Sequence, residues 1–172
     1  QTNSLNGSVL VTPTRTSNGG LFDVWSGAAT NFTNGFTFNN GTTVPNGGSF
    51  NLKGGTFSIN DTVSLGNHAA VTGGTLTGTH TLSGNVVVNG GSFDSSGTTT
   101  VAANSQLELA HVEANVMPRN FINKGKILWS NGDLEGSGAH TLTNDGEFSA
   151  STDGTFSATS SDFTVTNNGK FK

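Results

Sequence analysis

The chain has 172 residues, enough for one domain with a sizeable core, and only 10% of them are Asp, Glu, Lys or Arg, well below the roughly 25% of an average soluble domain. A net charge of −4 and a pI near 5.4 argue against a nucleic-acid partner, which attracts strongly basic surfaces. With no Cys, disulfides and thiolate metal sites are excluded, and no apolar run is long enough to cross a bilayer as a helix.

The 25 Gly and the abundant Asn, Ser and Thr would read as disorder in a chain lacking hydrophobic periodicity. Here apolar residues recur regularly, and a Thr/Ser/Asn surface with few charges suits strands. The chain starts at Gln1 without a leader, which reads as a processed form or a fragment of an exported precursor.

Residues 1–20 carry one clear strand, Ser8–Val11, followed by Pro13 and a loose polar stretch; this segment is expected to cap the fold or to reach a neighbour as an arm. Leu21 to Trp25 is the next strand, with Phe22 and Val24 on one face and Trp25 on the other. Asn31–Thr33 and Phe36–Phe38 follow, bounded by Asn-Gly turns.

From residue 47 one unit repeats: Gly, any residue, then a bulky apolar one. Its apolar anchors are Phe50, Phe57, Leu76, Phe93, Ile127, Leu134, Phe148, Phe156 and Phe171. The steps from Phe57 to Leu76, from Ile127 to Phe148 and from Phe148 to Phe171 are nearly equal. A period of about 20 residues cut by glycine turns predicts a single all-β domain over 1–172, a parallel β-helix (β-solenoid) of about eight rungs, roughly 40 Å long. The anchors would stack into an interior column, and Asn before the turn glycines would stack into amide ladders. Gly78-Thr79-His80-Thr81-Leu82 is echoed by Gly138-Ala139-His140-Thr141-Leu142, close to three such periods further on. Residues 102–120 break the pattern and predict an irregular insertion between rungs, or else a short helix closed by Pro118. An antiparallel β-sandwich is the rival fold, but it leaves the recurrence unexplained.

The run Asn123-Lys124-Gly125-Lys126-Ile127-Leu128-Trp129, continuing through Gly132-Asp133-Leu134-Glu135-Gly136-Ser137-Gly138 to Asn144-Asp145-Gly146-Glu147-Phe148, resembles the repeat of large secreted bacterial surface proteins. These are the parallel β-helix adhesins and autotransporter passenger regions. The likeness is specific over about residues 105–172, weaker over 47–100 and not evident in 1–40. It implies the solenoid fold, an extracellular or cell-surface location, and a non-enzymatic role in adhesion or in building an extracellular layer. The sequence departs from a complete autotransporter in having no membrane β-barrel segment, and because a motif that encodes rung geometry says little about a ligand, only fold and location are carried over.

Each chemical candidate has a plainer reading beside it. His80 and His140 would lie about 14 Å apart if three rungs separate them, too far to share a metal, and read as outward-facing residues on equivalent strands. Asp133 and Glu135 share a strand face, and Asp145 and Glu147 repeat the arrangement. Beside Lys124 and Lys126 such carboxylates could serve a polysaccharide lyase or hydrolase; the plainer reading is a solvated outer face. No nucleophile elbow or phosphate loop occurs, and no catalytic residue, metal or cofactor is assigned. Thr pairs two apart, such as Thr98/Thr100, Thr141/Thr143 and Thr164/Thr166, are the motif of an ice- or surface-binding solenoid if they fall in register. The step from Thr141 to Thr164 is close to one period, but that from Thr98 to Thr141 is nearly twice as long. Trp129 is expected inside with Ile127, and Trp25 outside, where it could meet a sugar or a subunit; Trp25, Asp133 and Glu135 are the expected ligand contacts. Sequons at Asn6, Asn31, Asn40 and Asn60 are at chance frequency for this composition. The expected partners are further copies of the chain, a continuation of a longer chain, or a carbohydrate or host surface. End-to-end contact would run through Val9, Leu10, Val11 and Phe171, where strand edges are left open.

Overall fold

The computed structural model describes residues 2–5, 9–11, 16–44 and 47–172. Their regular structure is all β, with no helix, and the strands stack in parallel as a β-solenoid with a period of about 21 residues. Three faces recur in each turn. The first is a nine-stranded sheet from Thr2–Leu5 through Asp61–Ser64, His80–Ser83, Thr98–Val101, Asn120–Asn123 and Thr141–Asn144 to Thr164–Asn167. The second, also nine strands deep, runs from Val9–Val11 through Gln106–Leu109, Lys126–Trp129 and Glu147–Ala150 to Lys170–Phe171. The third is split into a five-stranded part ending at Ser92–Phe93 and a three-stranded part beginning at Ala114–Met117.

Alternation along each short strand puts every second side chain inside. On the second face Ala69 pairs with both Phe50 and Val86, and the column goes on through Leu107, Ile127 and Phe148 to Phe171. Phe50, Phe57, Leu76, Phe93, Ile127, Leu134 and Phe148 are buried, Phe156 is packed against the core but partly exposed, and Phe171, on the outermost strand, is 48% exposed. Its ring still stacks on Phe148 with centroids 4.7 Å apart. The Gly-x-apolar corners are where backbones from successive turns touch. A Cβ on Gly146 would collide with the Gly125 carbonyl, and one on Gly169 with the Gly146 carbonyl, so only glycine fits.

Another interior column changes chemistry midway. Val63, Leu82 and Val101 are succeeded by Asn123, Asn144 and Asn167. Asn123 Nδ2 donates to Asn144 Oδ1 at 2.7 Å, and Asn144 Nδ2 to Asn167 Oδ1 at 2.6 Å. Asn123 and Asn144 also donate to the carbonyls of Glu147 and Lys170. A second amide ladder joins Asn18, Asn39 and Asn60. The amide ladders expected from the Asn-rich corners are therefore present.

Register departs from the sequence echo. His80 pairs with Thr99, Thr99 with Phe121 and Phe121 with Leu142. Three turns therefore carry His80 past His140 to Leu142, and the two histidines are not equivalent. Thr98 pairs with Asn120, and Asn120 Oδ1 accepts from the Thr141 backbone N–H. Residues 102–120 hold the regular strands Gln106–Leu109 and Ala114–Met117 in place of a helix. Their irregularity is the missing ladder between Ser92–Phe93 and Ala114–Met117. The Ser8 end of the first expected strand and the stretch around Pro13 lie outside the described residues.

Candidate functional site

The break in the third face is the most irregular place in the fold. Phe57, Leu76 and Phe93 form a column that ends at the break, and Asn115, on the first strand beyond it, is paired with Leu134. It is buried, and its amide is consumed by backbone: Oδ1 accepts from the His111 N–H at 3.0 Å, and Nδ2 donates to Asn131 O at 2.7 Å and to Asp133 O at 3.2 Å. The 110–113 loop is folded onto it, and a cleft of about 420 Å³ opens beside Gly91, Phe93, Leu109, His111, Asn115 and Val116. The cleft is lined by no carboxylate and no Lys or Arg, so it offers no acid–base pair.

Behind the break Arg119, fully buried, spans the rungs in place of the missing ladder. Its Nε donates to Asp94 O at 2.9 Å, Nη1 donates to Gly78 O at 2.9 Å and to Thr99 Oγ1 at 3.3 Å, and Nη2 is ion-paired with the Asp94 carboxylate. Burial lowers Arg119 to about 10, which leaves it cationic at neutral pH. His80 joins the network through Thr99, with Nε2 3.0 Å from Oγ1. Contrary to its expected outward position, His80 is only 2% exposed. Desolvation, then the Arg119 charge, lowers its pKa to about 4, against partial opposition from the backbone of Ile59, Thr77 and Gly78. Sequence reading missed Asp94, Thr99 and Arg119; the usable signal was an Arg just after Pro118, one of two in the whole chain.

The expected carboxylates are not gathered into a site. Asp133 and Glu135 point outward on either side of buried Leu134, on the third face, while Lys126 lies on the second face and faces Glu147 at 3.7 Å. Asp133 accepts the Thr155 N–H at 2.8 Å. Glu147 lies below its ordinary value because of Lys172, which donates to it at 2.8 Å. Among the described residues no three His, Asp or Glu side chains come together as a metal site. Trp129 is buried and donates to Gly132 O at 2.9 Å, whereas Trp25 is 53% exposed. Val9, Leu10 and Val11 stand in register with Thr30, Asn31 and Phe32 at one end of the second face, and Phe171 ends the other.

The most regular surface is the outside of the first face. Thr81 pairs with Thr100, Thr100 with Ile122, Ile122 with Thr143 and Thr143 with Thr166. Two positions earlier on each strand, Thr98 pairs with Asn120, and Thr141 pairs with Thr164. The long step from Thr98 to Thr141 that obscured register in the sequence is two ordinary rungs, with Asn120 between them.

Comparison with protein-family models, curated proteins and solved structures finds no match for this chain.

Proposed function

We propose that this chain is a non-enzymatic structural or adhesive β-solenoid that works outside the cell and assembles end to end with further copies of itself. The observation that carries this reading is the open rung. Thr164–Asn167 and Lys170–Phe171 are hydrogen-bonded on one side only, as are Thr2–Leu5 and Val9–Val11 at the opposite end. Phe171 and Val165 are large apolar side chains left 48% and 42% exposed there. Asn167 is last in the amide ladder: its Oδ1 accepts from Asn144, but its Nδ2 reaches only its own corner, 3.4 Å from Gly169 O. A second copy stacked in parallel would set its Val9 position over Phe171 in one continuing column, because Val9, Thr30, Phe50 and Phe171 occupy the same register line. Parallel strand addition would then supply the joint, and the scarcity of charge leaves little repulsion against it. The resemblance of residues 105–172 to bacterial surface-protein repeats supports an extracellular setting.

Sedimentation velocity over a concentration series tests this. The account expects mass to grow with concentration, and Val165→Pro, which puts a residue without an N–H on the open edge, to hold the protein at monomer. Concentration-independent monomer for the unaltered chain, or cleavage of a polysaccharide by it, would overturn the proposal.

A further inference from the structure

We propose that the outside of the first face is an ice-binding surface. Thr-x-Thr pairs occupy four of five successive rungs: Thr79/Thr81, Thr98/Thr100, Thr141/Thr143 and Thr164/Thr166, with Asn120/Ile122 between the second and third. Thr79, one residue before its strand, is tied into line by its hydroxyl, which accepts the Thr98 N–H at 3.3 Å. Pleat and pairing fix the grid: about 6.6–6.8 Å between the two threonines of a strand and about 4.8 Å between rungs. A β-branched side chain holds χ1 stiffly on such a surface. Hydroxyls and methyls therefore repeat in two dimensions with little freedom to lose on binding.

Three observations point to water as what this grid meets. Among the described residues, the hydroxyls of Thr81, Thr100, Thr143 and Thr166 make no hydrogen bond, and those of Thr141 and Thr164 bond only each other, at 3.0 Å. Neither Thr column carries a charged residue over these rungs, so nothing draws a disordered ionic hydration shell. The layer beneath is pinned by Arg119 on the Thr99 side and by the Asn123–Asn144–Asn167 ladder on the other. A single small solute could use only a few points of such a lattice; a crystal of water can use all of them, and the gain multiplies with each rung engaged.

The test is thermal hysteresis and ice-crystal shape in solutions of the purified chain. The unaltered protein should produce a hysteresis gap and faceted crystals. Thr100→Tyr with Thr143→Tyr, at part-exposed outward positions, should cut the gap about tenfold while melting as the unaltered chain does. Asn120→Thr with Ile122→Thr, which completes the missing rung, should widen it. No gap and unshaped crystals with the folded chain would overturn the proposal, as would activity that survives the tyrosines. The assembly reading stands or falls separately, by sedimentation.

Discussion

Val101 and Asn123 meet at the point where an apolar column becomes an amide ladder. Asn123 Oδ1 is buried without a partner because the residue below it is Val101, whose side chain has no N–H to give. A buried acceptor left unmet costs about 1–3 kcal/mol. Val101→Asn should therefore be far milder than a polar residue usually is in a core, since its Nδ2 would reach that acceptor. Thermal melts should place it within about 1 kcal/mol of the unaltered chain, against roughly 3 kcal/mol or more for Val86→Asn, which has no ladder to join. His80 makes the second residue-scale prediction. Its pKa is about 4 when folded and 6.5 when free, so the unfolded chain binds more protons between those values. Stability is full above about pH 6.5, falls as pH drops toward 4, and levels off below, with a ceiling on the order of 3 kcal/mol. His80→Gln, neutral throughout, should flatten that slope in a series of denaturant titrations across the window.

At the scale of elements, the third face shows what a solenoid does where its ladder fails. The backbone bonds missing between Ser92–Phe93 and Ala114–Met117 are replaced by one guanidinium reaching Gly78, Asp94 and Thr99. Arg119→Met would leave Asp94 and two carbonyls without their donor and should cost about 3 kcal/mol, read as a lower urea midpoint. The sequence announced this place only as a loss of pattern over residues 102–120. Strand periodicity survives there, as Gln106–Leu109 and Ala114–Met117 show, while the failure is one of pairing, which no local pattern encodes. The anchors were legible because Gly-x-apolar is a local signal with a steric cause. His80 was misread because its echo matches composition at His140, whereas the strands align it with Leu142.

For the whole molecule, a period of about 21 residues yields columns that have no intrinsic end. Every turn satisfies the edge of the turn before and exposes its own, so the physics that stacks one rung on another within the chain also favours stacking chains. The period was readable from the anchors, because each anchor follows a glycine corner, and the solenoid followed. The Thr grid was not, because the steps from His80 to Thr99, to Phe121 and to Leu142 are unequal and hide an alignment that only the pairing register restores. Candidate chemistry was the least legible part: Asp133 and Glu135 were separated from Lys126 onto a different face by the same turns that built the core, and Lys126 meets Glu147 instead.

The most direct test of stacking as the organising property is negative-stain electron microscopy of the purified chain alongside Val165→Pro. Nine stacked strands span about 38 Å and, with the joint, each added copy lengthens a rod by about 43 Å, so the account predicts rods growing in steps of that length for the unaltered protein and single units for the variant. Single units for both, or rods unaffected by the proline, would contradict it.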